Sequence, residues 1–205
     1  NGQTYSDGEW TYDIKGQYFL SPEIQLYGGY SHGFKAGGIG MDPEAGGGQP
    51  SGLNSPLQQL LGTGNGTGFA DLEDATYDPE FVDTWELGVK GDYLDGRGRT
   101  NVALFYNDIE DNQFSIFTGT GFTVLNASTA EITGVELENF FAVTPNLRVG
   151  ASVTWLDTQY GDDIPPPAPP GRELTLAPDW AGAINLEYER PLTQRIAHDE
   201  HGFVE

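Results

Sequence analysis

The stretch EITGVELENFFAVTPNLRVGASVTWLD, residues 131–157, carries the pattern on which the fold prediction rests. Over 134–143 and again over 147–157, apolar side chains alternate with polar or charged ones. A period of two is typical of a β-strand with one apolar and one polar face. Thr144-Pro145-Asn146 between the two segments has room only for a tight turn, which predicts an antiparallel pair of strands.

The same period recurs through the rest of the chain. Further alternating segments lie at 9–20, 24–34, 84–94, 99–108 and 180–188. The alternation is less regular in the first two, and Phe105 interrupts the polar side of 99–108. The chain is therefore predicted to be all-β and antiparallel, with about seven strands.

Short and long connections alternate between these segments. The short ones are Ser21-Pro22-Glu23, Asp95-Gly96-Arg97-Gly98 and Thr144-Pro145-Asn146, and the long ones cover about 35–80, 108–125 and 161–175. Tight turns at one end and long loops at the other are typical of a transmembrane β-barrel of the bacterial outer membrane, whose long loops are extracellular. The alternative is a secreted soluble β-sandwich, such as a hydrolase, which also alternates and would stay soluble without detergent.

The two faces of the predicted strands differ as a barrel wall requires. Aromatic side chains such as Trp85 and Tyr93 lie toward the ends of the apolar stripes, where rings with a polar tip favour the headgroup level. Charged side chains, among them Lys90 and Glu136, stand in mid-strand on the other face. These features favour a wet lumen, or a lumen filled by a polar plug, over a second packed sheet.

The amino-acid composition argues against several classes of protein. The formal charge of -22, from 31 acidic and 9 basic residues, argues against a nucleic-acid partner. With 11 Phe, 10 Tyr and 4 Trp the chain is too aromatic for a disordered acidic protein, and with no cysteine it has no disulfide or thiolate ligand. His198 and His201 would lie on opposite faces of a strand and make a poor metal pair. Since no catalytic motif stands out either, we predict neither an enzyme nor a cofactor.

Five stretches stand out at 26–38, 77–90, 105–113, 126–138 and 176–180. They read LYGGYSHGFKAGG, YDPEFVDTWELGVK, FYNDIEDNQ, NASTAEITGVELE and LAPDW. In this order they resemble the motifs of the TonB-dependent outer-membrane receptors. The resemblance covers about residues 20–190, and its strength lies in the shared order because each motif alone is weak.

The resemblance implies a plugged barrel of about 22 strands in the cell outer membrane of a Gram-negative bacterium, in contact with lipid and lipopolysaccharide. Such receptors import scarce, large nutrients, most often ferric siderophores, with energy from the TonB–ExbB–ExbD complex. About seven strands cannot close such a barrel. Residues 1–205 are therefore expected to form part of a single barrel domain, a C-terminal-half fragment whose parent contacts TonB elsewhere.

The resemblance places ligand capture in the outer loops. Aromatic or cationic side chains in or near them are the predicted ligand contacts: Phe34, Lys35, Phe117, Phe122 and Tyr160. Of these, Lys35 would meet an anionic iron chelate. Uptake of a carbohydrate or of cobalamin is the alternative cargo, and a passive porin or adhesin barrel is the alternative that needs neither plug nor TonB.

Overall fold

The structure, a computed structural model, describes residues 6–39, 76–117, 122–126, 129–162 and 171–190. In chain order its strands are β1 (Tyr12–Phe19), β2 (Ile24–Lys35), β3 (Gly38–Ile39), β4 (Thr76–Tyr77), β5 (Glu80–Tyr93), β6 (Gly98–Glu110), β7 (Gln113–Phe117), β8 (Phe122–Asn126), β9 (Ala130–Thr144), β10 (Leu147–Tyr160) and β11 (Trp180–Tyr188). Seven of them form one antiparallel sheet in the order β1-β2-β5-β6-β9-β10-β11. The all-β, antiparallel prediction is confirmed, and the sheet does not close within the described residues.

Three strands extend by three or four residues beyond their predicted bounds at the end where the long connections leave. Strand β5 begins at Glu80, β9 begins at Ala130 and β10 ends at Tyr160. The predicted loop over 108–125 also contains a hairpin, because β7 pairs with β8 from Gln113↔Asn126 to Phe117↔Phe122. The described part of the long-connection end thus contains more β-strand than the hydrophobic pattern indicates.

The register sorts the side chains onto two faces. Alternate residues point to opposite faces of a sheet, so directly paired residues share a face. The apolar face carries, among others, Ile14, Leu26, Leu87, Leu104, Leu137, Val153 and Ile184. The polar face carries, among others, Lys15, Gln25, Glu86, Asn101, Glu138, Ser152 and Asn185.

Two rows of aromatic side chains border the apolar face. The row nearer the long connections contains Tyr12, Tyr30, Trp85, Tyr106, Trp155 and Trp180, and the other contains Tyr18, Tyr93, Phe141 and Tyr188. Rings in the first row touch across strands, since the centroids of Tyr30 and Trp85 lie 5.2 Å apart. The eight residue-to-residue steps from Trp85 to Tyr93 span about 26 Å of strand, or about 20 Å along the axis of a barrel whose strands tilt by about 40°. That height is close to the apolar band of an outer-membrane barrel, about 25 Å.

The apolar face is uncovered. Its side chains include Ile184, 78% exposed, and Leu186, 72% exposed, while Ala130 and Tyr160 are the buried hydrophobic residues of the described part of the chain. Among the described residues no helix is long and apolar enough to cross a membrane. A second packed sheet, which a soluble sandwich requires, is likewise missing from the described ranges.

Two glycines on the polar face lie directly opposite aromatic rings. Phe105 pairs with Gly134, and a Cβ at Gly134 would lie 2.7 Å from one ring carbon of Phe105. Tyr27 covers Gly88 in the same way. The aromatic residue that interrupts the polar side of 99–108 therefore has a structural reason, because its ring fills the space above a glycine on the neighbouring strand.

Candidate functional site

The three long connections leave the sheet at one end. We call them the first (36–79), second (111–129) and third (161–179) connections. Of the described residues, β3 and β4 belong to the first connection, and β7 and β8 belong to the second. All five motif stretches lie partly in these connections. This end of the sheet is the candidate site.

Asn126 ties the first connection to the second through its side-chain amide. Its Oδ1 accepts a hydrogen bond from the backbone N–H of Asp78 at 2.6 Å. Its Nδ2 donates to the carbonyl oxygens of Asp78 and Asp111, both at 2.8 Å. The amide therefore pairs with both backbone groups of Asp78 as a neighbouring strand would, which satisfies main-chain groups that have left the sheet.

Gln113 makes a second set of hydrogen bonds between the same two connections. Its Nε2 donates to the carbonyl oxygens of Ala36 and Asp78, each at 3.0 Å. Its backbone N–H donates to Oε2 of Glu80 at 2.7 Å, and Lys35 Nζ lies 3.9 Å from that oxygen. We call the residues that make these contacts the amide junction: Lys35, Ala36, Asp78, Glu80, Asp111, Gln113 and Asn126.

An apolar cluster adjoins the amide junction. Tyr160 is 9% exposed and Ala130 is fully buried, with Ile109, Phe114 and Leu174 packed against them. The ring centroids of Phe114 and Tyr160 are 5.1 Å apart. Ile109, Ala130 and Tyr160 come from β6, β9 and β10, whereas Phe114 and Leu174 come from the second and third connections. The cluster therefore fastens two connections onto the polar face of the sheet.

Backbone hydrogen bonds strengthen the attachment of the third connection. The N–H of Tyr160 donates to the carbonyl of Arg172 at 2.8 Å, and the N–H of Gly161 donates to the carbonyl of Thr129 at the same distance. The N–H of Leu174 donates to Oγ1 of Thr158 at 3.1 Å. The start of the third connection thus contacts both its own return segment and the end of the second connection.

The predicted ligand residues lie in different environments. Phe34 is on the apolar face, opposite Phe81, whereas Lys35 is on the polar face with its side chain 61% exposed. Tyr160 is largely covered by the apolar cluster. Phe117 and Phe122 form the last backbone pair of the β7–β8 hairpin, and their side chains lie outside the described residues. Contact of these residues with a ligand stays a prediction.

Sequence reasoning missed the residues that hold this end together. Glu80, Gln113 and Asn126 stand inside the motif stretches, yet nothing in the pattern indicates that they meet. Their partners are mostly main-chain groups, which leave no trace in residue type. The positions of these three residues could have indicated the site, because three separate motifs each place a carboxamide or carboxylate at a strand end beside a long connection.

The polar face carries mixed charge in mid-strand. A depression of about 520 Å³ is lined there by residues that include Lys15, Gln25, Tyr27, Glu86 and Lys90. The ammonium of Lys90 lies 5.0 Å from the ring centroid of Tyr27, a cation–π contact. No cluster of three or more His, Asp or Glu side chains in the described ranges is arranged to hold a metal ion. This face suits a wet or plugged lumen better than a dry core.

An uncovered apolar face bordered by two aromatic rows, with a charged opposite face, defines the wall of an outer-membrane β-barrel. The chain belongs to the family described as TonB dependent receptor-like, beta-barrel, whose model matches residues 1–201. The predicted Gram-negative outer-membrane location is confirmed, and the family is one of receptors and transporters rather than enzymes. The apolar face therefore meets lipid, the polar face lines the lumen, and the long connections are extracellular.

Individual relatives agree with this family. Over 105 residues, 51% of the chain, it is 26% identical to the probable TonB-dependent siderophore receptor PiuA of Acinetobacter baumannii. Among solved structures, the ferric yersiniabactin uptake receptor FyuA from Yersinia pestis matches 85% of the chain with a TM-score of 0.60 and 18% identity. The Acinetobacter baumannii PiuA structure matches 87% with a TM-score of 0.58 and 19% identity. The chain spans 14% of the curated relative's length and 22% and 23% of the two solved chains.

Proposed function

We propose that this chain supplies part of the wall and outer rim of a receptor that imports a ferric siderophore, with energy delivered by TonB. The observation that carries the proposal is the 105-residue match, at 26% identity, to a probable TonB-dependent siderophore receptor. Fold neighbours add support, since they include the receptors for ferric yersiniabactin and ferripyoverdine. In this role the connections would capture the chelate, and the lumen wall would line its route.

The geometry of the rim is compatible with capture of a large ligand. The exposed cation Lys35 stands on the lumen side at the first connection, where it can meet an anionic group of a chelate. The hairpin tip formed by Phe117 and Phe122 belongs to the same end of the sheet. Lipid and lipopolysaccharide would contact the opposite, apolar face.

A second cargo is favoured by one specific neighbour. The copper transporter OprC matches 87% of the chain with a TM-score of 0.55 and 19% identity. Copper uptake therefore stands beside the earlier alternatives of carbohydrate and cobalamin, because the fold itself does not select the cargo.

Growth of a host deleted for the full-length receptor gene tests the proposal. We expect growth under iron limitation on at least one ferric siderophore to fail, and to return with the intact gene but not in a host that lacks TonB. Unchanged growth on every ferric siderophore would contradict iron import. A defect restricted to copper limitation, or to growth on a carbohydrate or cobalamin, would identify the other cargos. Restoration without TonB would indicate a passive barrel.

A further inference from the structure

Two adjacent residues at the start of β7 reach two different connections. Gln113 donates through its side chain to Ala36 and Asp78 in the first connection. Phe114 packs against Tyr160 at the end of β10 and belongs to the apolar cluster that also contains Leu174 of the third connection. Successive side chains of a strand point to opposite sides, which lets one short strand hold both contacts.

The bonds on the first side are specific for a carboxamide. Nε2 of Gln113 and Nδ2 of Asn126 both point at main-chain carbonyl oxygens, which need a donor. A carboxylate of the same shape would place an oxygen against those carbonyls and would leave them unpaired. Gln113→Glu and Asn126→Asp therefore remove the bonds that the amide nitrogens donate while they preserve the volume of each side chain.

The contacts on the second side account for the buried apolar surface of the described chain. Ala130 and Tyr160 are its buried hydrophobic residues, and both belong to the apolar cluster that Phe114 enters. In a wall whose apolar face meets lipid, this cluster is where hydrophobic burial within the protein can hold an extracellular segment in place. Truncation of Phe114 to alanine removes the contribution of the second connection to the apolar cluster.

We propose that β7 mechanically couples the three extracellular connections, and that Gln113 and Phe114 act as positioning residues for ligand capture. The coupling follows from the amide junction on one side of β7 and the apolar cluster on the other. A displacement of the first or the third connection must therefore move β7 or break its contacts. The ligand-capture part rests on the proposed function. The coupling part concerns the protein alone.

Hydrogen exchange of the full-length receptor in lipid nanodiscs tests the coupling without a ligand. We expect Gln113→Glu to raise exchange at the amide of Asp78 and also at the amides of Tyr160 and Leu174. We expect Phe114→Ala to raise exchange at the same three positions. Faster exchange confined to the connection that each residue touches would overturn the coupling.

A matched control lies at the other end of the sheet. Nδ2 of Asn146 donates to the carbonyl of Glu189 at 2.8 Å beside a short turn, a bond of the same chemistry as those of the amide junction. Asn146→Asp should speed exchange around that turn and leave the extracellular amides unchanged. Extracellular changes in this variant would show that any lost amide bond loosens the barrel, which would also overturn the coupling.

Binding of gallium complexes of a trihydroxamate and of a tricatecholate siderophore tests the positioning role. If the wild-type receptor binds either probe, we expect Gln113→Glu and Phe114→Ala to weaken it by about five- to 150-fold, the usual range for coupled sites. Phe114→Leu, which keeps an apolar side chain, should restore most of the affinity, and Asn146→Asp should bind as the wild type does. Equal affinity in all variants would refute the positioning role. Failure of the wild type to bind either probe, together with unchanged growth of the deletion host on every ferric siderophore, would refute the proposed function and the positioning role with it. The exchange data would still decide the coupling.

Discussion

Substitution of Gly88 by alanine tests whether close aromatic–glycine pairs hold the barrel wall together. Tyr27 is the register partner of Gly88, and its ring occupies the space that a Cβ at Gly88 would need. The ammonium of Lys90 stands 5.0 Å from the centroid of the same ring. Movement of the Tyr27 ring away from Gly88 would therefore disturb a cation–π contact on the lumen side.

The magnitude follows from two opposed effects. Forcing an extra methyl group into a filled space costs about 1–3 kcal/mol. Alanine in the middle of a strand is more favourable than glycine by about 0.5–1 kcal/mol, since it loses less backbone entropy on folding. The clash dominates, and we expect Gly88→Ala to lower the free energy of unfolding by about 1 kcal/mol.

Gly91 supplies a matched control on the same strand. A Cβ at Gly91 has no atom within 4 Å and would point toward lipid on the apolar face. Gly91→Ala should therefore be neutral or stabilising by up to about 1 kcal/mol. The difference between the two variants isolates the clash from the general effect of replacing glycine.

Urea unfolding of the full-length receptor in lipid vesicles, followed by tryptophan fluorescence, measures these differences. The double variant Tyr27→Ala/Gly88→Ala should lose less stability than the two single losses added, because removing the ring removes the clash. Equal unfolding midpoints for Gly88→Ala and Gly91→Ala would refute the reasoning, as would strict additivity in the double variant.

Three other substitutions test the assignment of faces and contacts. Leu137→Arg, at mid-height on the apolar face, should cost about 2–4 kcal/mol of folding free energy in vesicles, whereas Ser152→Arg on the polar face should cost far less; equal costs would contradict the lipid and lumen assignment. Tyr160→Phe should leave stability and ligand affinity unchanged, whereas Tyr160→Ala should lower stability by about 3 kcal/mol in urea unfolding; a loss of ligand affinity with Tyr160→Phe would instead support direct contact through the hydroxyl. Arg99→Lys loses the paired bonds of Arg99 to Asp92 at 2.6 and 3.0 Å, and the resulting small loss of stability should shrink as salt is added; a loss that is independent of salt would contradict an exposed ion pair.

The strand prediction was correct where the membrane requires apolar and polar side chains to alternate. It was too short where the membrane sets no such requirement. Residues 134–143 alternate because one face meets lipid and the other meets the lumen. Strand β9 nevertheless begins at Ala130, four residues earlier than the alternating segment. There Thr133, level with Tyr106 of the aromatic row, and Glu131 beyond it continue the apolar face with polar side chains. The contrast between the two faces therefore disappears while the strand continues.

The site was less predictable than the wall. Gln113 and Asn126 could be read as motif residues, but their partners are the carbonyls of Ala36, Asp78 and Asp111. Every residue type offers the same carbonyl, so no pattern of side chains marks these partners. The position of Tyr160 after a strand predicts a ligand contact, whereas its burial depends on a cluster to which the second and third connections contribute Phe114 and Leu174.

The sequence by itself determined an antiparallel wall with a lipid face, a lumen face and long connections at one end. It could do so because each of these properties follows from local alternation and from the lengths of the connecting segments. Only the tertiary structure decided that Gln113 bonds to the first connection, that Phe114 and Leu174 belong to one apolar cluster, and which glycines lie beneath aromatic rings. Such contacts join residues far apart in the chain. They depend on backbone hydrogen-bonding groups or on the space above a glycine, and the order of residue types indicates neither.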